Sequence, residues 1–205
     1  MIAKDMNDGP LHTDPFAWFG EWLSEAEATG MVDPNACAVA TVDSDGRPSA
    51  RIVLLKEWDE RGFVFYTNLT SRKGREALGQ EVAAMTFFWR DMDRQIRIEG
   101  DVVQVSDEQA DAYYATRPKG SRVGAWASNQ SSPLDSRQTL MEEVAGLEAK
   151  YADTDDVPRP PHWSGLRIVP RAIEFWQAGA FRLHNRFVFT RAKERESWEV
   201  QRLNP

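Results

Sequence analysis

Residues 38–75, AVATVDSDGRPSARIVLLKEWDERGFVFYTNLTSRKGR, decide how the fold is read. Runs at 38–42, 49–56 and 63–67 are short, apolar and rich in β-branched side chains. Asp43-Ser44-Asp45-Gly46 and Asp59-Glu60-Arg61-Gly62 separate them with turn chemistry, Gly46 being free to take positive φ. The pattern predicts three strands in a meander, then a helix whose first free N–H groups Ser71 can cap. Arg72, Lys73 and Arg75 crowd that helix start, which makes it a candidate cradle for an anion such as phosphate. On composition alone a solvated basic turn is the commoner outcome. Arg51 and Lys56 lie five apart, so a regular strand turns them to opposite faces. They are either soluble strand ends or servants of different neighbouring sites.

Working outward, residues 81–89 and 94–105 read as strands, the second with Ile96 and Ile98 alternating against Gln95, Arg97 and Glu99. Ser106 and Gln109 form a capping box for a helix that runs to Thr116 and stops at Arg117-Pro118. Tyr113 and Arg117 share a face, and Ser121 follows in a glycine-containing loop. These three hold a second phosphate or form a packing pair, two readings of equal weight. Residues 124–132, GAWASNQSS, make a small polar loop able to approach a ligand closely. Leu140, Val144 and Leu147 mark an amphipathic helix over 136–151, and residues 153–161 a stiff surface crossing. Strands are expected at 168–177, 182–191 and 197–203. Regular alternation in the second puts Arg182, His184 and Arg186 on one face with nothing acidic between them, which favours a ligand over a solvated face. At the other end, residues 1–13 read as a loose arm, and residues 14–205 as a single domain. Asp14-Pro15 starts a helix, and Phe19, Trp22, Leu23 and Ala26 recur at helical spacing, packing it on the outside of the sheet.

Composition narrows the chemistry. With 205 residues, 41% hydrophobic and 28% charged, the chain can build its own core. A net charge of −7 repels nucleic acid, so any anion site must be a local pocket. Cys37 is the only cysteine, and His12, His162 and His184 are widely spaced, which argues against an intrachain disulfide and against a metal centre. No apolar run reaches membrane-spanning length and no signal-peptide core is seen, so the expectation is a cytoplasmic protein.

The motifs ARIVLLK, FYTN, SRKGRE, RQIRIEG, GAWASNQSS and EFWQAGAFRLHNR, in this order and spacing, resemble the pyridoxamine 5'-phosphate oxidase family over about residues 14–205. The resemblance implies a mainly β fold, an antiparallel FMN-binding split β-barrel of Greek-key type with peripheral helices. It implies that FMN is held by Arg51, Ile52, Val53, Leu54, Leu55, Lys56, Tyr66, Thr67, Arg72, Lys73, Gln95, Gln130, Ser131, Trp176 and Arg186. It implies a substrate held by Lys56, Tyr113, Arg117, Ser121, Arg182, Leu183 and His184, with Arg182 and His184 catalytic. The implied reaction oxidises pyridoxamine or pyridoxine 5'-phosphate to pyridoxal 5'-phosphate. Hydride passes from C4' to flavin N5, and O2 is reduced to H2O2. A homodimer with FMN at the interface is implied as well.

Two departures bear on that reading. Asn185 stands where the family commonly carries an acidic residue, and by alternation it faces away from Arg182 and His184. The segment before Asp14 does not match the longer basic arm of many members. The competing functions are a phenazine-pathway flavin oxidase of the same fold, a non-catalytic FMN- or pyridoxal-phosphate-binding protein, and a β-barrel with no ligand.

Overall fold

A computed structural model describes residues 6–194 and 196–205. The expectation for residues 1–5 therefore lies outside the described residues. The order of elements is α1 (Pro15–Ala28), β1 (Ala36–Val42), β2 (Pro48–Leu54), β3 (Glu57–Asp59), β4 (Gly62–Asn68), α2 (Arg72–Gln80), β5 (Val82–Trp89) and β6 (Arg94–Gln104). Then come α3 (Asp107–Ala115), α4 (Lys119–Ala127), α5 (Arg137–Lys150), β7 (Trp163–Gln177), β8 (Asn185–Thr190) and β9 (Glu199–Arg202).

All the strand pairings are antiparallel, in the order β2-β1-β5-β6-β7-β4-β3, with β8 on β7 and β9 on β8. The expected meander is corrected here. β2 pairs with β1, but β4 crosses to the far side of the sheet and pairs with β7. The sheet curls so that its two ends approach and β2 comes into contact with β4, while Lys56 N, just before β3, donates to Val64 O and extends the β3–β4 hairpin. Long-range pairing outweighs chain adjacency here because β7 is long enough to serve several partners.

β7 pairs with β4 through Ile168 and with β8 from Ala172 onward. Pro170 lies between the two stretches; lacking an N–H, it suits a point where ladder partners change. The β6–β7 register also shifts between Glu99 and Gly100. A Cβ on Gly100 would fall 2.1 Å from Val169 O, so only glycine allows this close approach at the bend.

The core lies inside the curl. Asp14 caps α1 by accepting from Phe16 N, with Pro15 at the first helical position. The helix buries Phe16, Trp18, Phe19, Trp22, Leu23 and Ala26. Trp18 stacks on Phe175 at 4.1 Å, and Phe19 meets Phe63 and Phe87 edge-on. Of the segment read as an arm, Met6 is fully buried, and Arg202 donates to the carbonyls of Met6 and Asn7. Cys37 is buried, which pushes its thiol up to about 12 and leaves it inert.

Two further expectations are corrected. Residues 119–127 form helix α4, so Ser121 and the GAWA of the expected loop are helical. β8 begins at Asn185, not at 182. Arg182 instead sits in a tight turn beside Phe181, with φ of 66° and 57° respectively. α5 matches the expected amphipathic helix, capped by Ser136 and with Leu140, Val144 and Leu147 half-buried. No helix among the described residues is long and apolar enough to cross a membrane.

Candidate active-site cleft

A cleft of about 710 Å³ opens along the split between β2 and β4, with α3 and α4 as its far wall. Ile52, Val53, Leu54, Lys56, Tyr66, Thr67, Lys73, Tyr113, Arg117, Ser121 and Gln130, all expected from sequence, line it together. Strands β2 and β4, the link after β2, the starts of α2 and α4, the end of α3 and the loop after α4 therefore bring eleven of the expected residues to a single place.

The end of the cleft near α2 is cationic. Ser71 caps α2, its hydroxyl accepting from Gly74 N at 3.3 Å. Lys73 Nζ donates to Thr67 Oγ1 at 3.1 Å and to Gln130 Oε1 at 2.8 Å. Burial and the neighbouring Arg51 push its ammonium below the usual lysine range. Arg51, Arg72 and Ser131 line an adjoining hollow of about 430 Å³, with Ile52, Lys73 and Gln130 shared between the two. Arg75 turns away to the Thr70 carbonyl. Leu55, also expected at the flavin, turns its side chain into the core and is 3% exposed.

The opposite end is aromatic and cationic. Tyr113 stacks on Tyr66 at 3.9 Å and Tyr66 on Trp163 at 5.2 Å, while the Arg117 guanidinium lies 4.7 Å from the Trp163 ring. Gly165 faces Tyr66 in the β4–β7 register, and a Cβ there would meet the tyrosine ring at 2.8 Å, so the missing side chain is what lets the ring lie down. Arg117 is half-buried, and its Nη1 is buried with no hydrogen-bond partner. Arg117 lines the cleft, and a guanidinium with a donor left unpaired there suits an anion. Burial pushes this arginine below its usual range.

Two residues missed in the sequence organise these ends. Glu57 accepts from the Tyr66 hydroxyl and from Gln109 Nε2, both at 2.5 Å, tying the hairpin to α3. Gln109 therefore completes only half of the expected capping box: Ser106 accepts from Gln109 N, but the Gln109 side chain goes to Glu57. Burial and the Glu57 carboxylate push the Tyr66 phenol well up, so it stays protonated. Glu76, four residues after Arg72, sits buried between Arg72 and Arg51.

The remaining expected residues lie elsewhere on the chain. Gln95, Trp176 and Arg186 are side by side across β6, β7 and β8. None of them, nor Arg182, Leu183 or His184, lines the cleft. The expected row of three unneutralised basic groups is corrected as well. Arg186 Nε donates to Glu174 Oε1 at 2.7 Å, an acid from the neighbouring strand that reading one strand could not reveal. Arg182 is exposed in its left-handed turn, and Leu183 is 68% exposed. His184 leans on the Trp176 ring at 4.6 Å and accepts at Nδ1 from Gly179 N at 3.1 Å. Neutral His184 thus carries its proton on Nε2. Asn185 donates to Asn7 and accepts from Arg202.

Comparison with known proteins gives this arrangement a family. Residues 23–151 match the family model described as pyridoxamine 5'-phosphate oxidase, and residues 163–205 match one described as the pyridoxine 5'-phosphate oxidase C-terminal dimerisation region. The chain is 56% identical over 204 residues to the pyridoxine/pyridoxamine 5'-phosphate oxidase of Brucella canis, covering 100% of both chains. A Brucella abortus protein of that name is likewise 56% identical, with 98% of its length covered. Among solved structures, PhzG from Burkholderia lata, in complex with tetrahydrophenazine-1-carboxylic acid, superposes with a TM-score of 0.90 at 33% identity, covering 100% of this chain and 98% of that one. A pyridoxamine 5'-phosphate oxidase-related, FMN binding protein from Nostoc punctiforme shares the fold, with a TM-score of 0.74 at 18% identity over 94% of this chain and 98% of its own. The curled antiparallel sheet is thus the split barrel these proteins share, and the chain belongs to the pyridoxine/pyridoxamine 5'-phosphate oxidase family.

Proposed function

We propose that the chain is an FMN-dependent oxidase that converts pyridoxamine 5'-phosphate or pyridoxine 5'-phosphate to pyridoxal 5'-phosphate, reducing O2 to H2O2. The observation that carries this reading is the cleft with a cationic grip at each end, one of them holding the partnerless Arg117 Nη1. A flavin phosphate suits the hollow of Arg51, Arg72 and Lys73, and a vitamer phosphate suits Lys56, Tyr113, Arg117 and Ser121. FMN bound between them supplies the two-electron acceptor that no side chain here provides.

The chain's own groups bind and orient. Lys56 and Arg117 fix the phosphate end of the substrate, and orientation of this kind can account for a large share of a rate. The Tyr66–Tyr113–Trp163 stack gives that end a rigid apolar wall. His184 presents an Nε2 proton, so it serves the substrate as a hydrogen-bond donor and not as a base. The family's dimerisation region spans residues 163–205, which carry Trp176, Arg182, His184 and Arg186. That region and the separation of these residues from the cleft support a homodimer in which each cleft is completed by the partner chain.

The test is peroxide production by purified, FMN-loaded protein with pyridoxine 5'-phosphate, pyridoxamine 5'-phosphate, unphosphorylated pyridoxine and a reduced phenazine carboxylate. Turnover confined to the two phosphorylated vitamers is expected. Turnover with the phenazine compound alone would move the assignment to the chemistry of the Burkholderia neighbour. A yellow protein that turns over none of them would make it a binding protein.

A further inference from the structure

We propose that Glu76 is the positioning residue of the flavin-phosphate cradle: it holds Arg51 and Arg72 and trims the local charge to suit a phosphate dianion. This rests on the reading of the α2 hollow as the FMN phosphate end. Glu76 lies on α2 and is 8% exposed. Its Oε2 accepts from Thr41 Oγ1 and Ser49 Oγ, each at 2.5 Å, and its Oε1 accepts from Arg72 Nε at 2.6 Å. Arg51 Nη2 stands 3.6 Å from the same carboxylate. Hydrogen bonds to Ser49 and Thr41, together with Arg72, hold the Glu76 carboxyl down at about 2 against the effect of burial, so it is ionised at neutral pH.

The proton inventory is what favours a carboxylate here. Arg51 donates to Thr41 Oγ1 at 2.6 Å and to Ser49 Oγ at 2.5 Å. Each hydroxyl therefore accepts from Arg51 and spends its one proton on Glu76. A carboxamide serves less well. With its oxygen toward Arg72, its NH2 can use the spare lone pair of each hydroxyl only if both turn their protons away, which leaves those protons without the carboxylate; turned round, its NH2 meets Arg72 Nε–H, donor against donor. In charge, the three cations Arg51, Arg72 and Lys73 less one carboxylate leave two positive charges beside the hollow. A phosphate monoester carries about −1.5 to −2 at neutral pH. Without Glu76 the three cations repel one another; with it they stand in place before the ligand arrives.

The test compares FMN with riboflavin, which lacks only the phosphate. Flavin-stripped wild type, Glu76→Gln and Glu76→Asp are titrated with each, following quenching of flavin fluorescence. Wild type is expected to prefer FMN. Glu76→Gln should narrow that preference about tenfold while leaving riboflavin affinity unchanged. Glu76→Asp keeps the charge but retracts it, and should fall between the two. Equal losses for both ligands would reduce Glu76 to a general structural role, and unchanged or tighter FMN binding in Glu76→Gln would overturn the inference outright. If wild type shows no preference for FMN, the reading of the hollow itself fails and takes the inference with it.

Discussion

Replacing Arg117 by methionine should separate substrate binding from stability. In the ligand-free protein the Arg117 guanidinium lies over Trp163 with its Nη1 buried and partnerless. Removing it relieves an unsatisfied buried donor, worth about 1–3 kcal/mol. It also forfeits a cation–π contact of about 0.5–2 kcal/mol, part of which a methionine sulfur over the same ring restores. The two nearly cancel, so the unfolding free energy should change by less than about 1 kcal/mol. Binding behaves differently. A hydrogen bond to a charged phosphate contributes about 1.5–3 kcal/mol, which predicts a KM for pyridoxine 5'-phosphate raised about 10- to 150-fold. Because the phosphate is remote from the reacting carbon, kcat should move far less. Initial rates of peroxide formation across substrate concentration, with denaturant unfolding of the same preparation, measure both. An unchanged KM would refute the phosphate assignment. A loss of stability above about 3 kcal/mol would refute the claim that Nη1 of this guanidinium lacks a hydrogen-bond partner.

Trp18→Ala empties the aromatic stack on Phe175 and should lower stability by about 3–5 kcal/mol, read as a shifted denaturant midpoint at unchanged slope. Glu76 has its carboxyl depressed from 4.5 to about 2, so its contribution is full above pH 4.5 and is lost as pH falls toward 2. Glu76→Gln should therefore flatten the stability profile across that window, and parallel wild-type and variant profiles would contradict the pairing. Assayed at substrate well below KM, where Arg117→Met and Arg182→Ala chains are each slow alone, the two should regain roughly a quarter of wild-type activity when unfolded and refolded together, since half the dimers are mixed and each mixed dimer has one intact cleft. No recovery on mixing would mean that Arg117 and Arg182 serve the same chain's site.

What could be read in the residues was whatever is encoded locally. The caps Asp14, Ser71 and Ser106 all begin helices, because a cap acts on N–H groups two or three positions away. α4 escaped notice because Gly120, Ser121 and Gly124 depress its helical propensity, and a non-polar Pro118 stands at its cap. The partner of β4 could not be read, since Tyr66 pairs with Gly165 across nearly half of the chain. Nor could the turn at Phe181 and Arg182, where two side chains adopt left-handed backbone that usually announces itself with glycine. In the cleft, the residues were found largely by family likeness, while their supports were not. Glu76 was in reach as the i+4 partner of Arg72. Glu57 was not, because it meets Gln109 from 52 residues away.

The grip of Arg202 on Met6 has a consequence for how the molecule is made. Met6 leaves the ribosome 196 residues ahead of the guanidinium that fastens its carbonyl, and β7, which joins the two flanks of the sheet, also emerges late. The Met6 carbonyl must therefore wait for this tie until Arg202 has been made. Losing Arg202 alone would strip the carbonyls of Met6 and Asn7 of this donor.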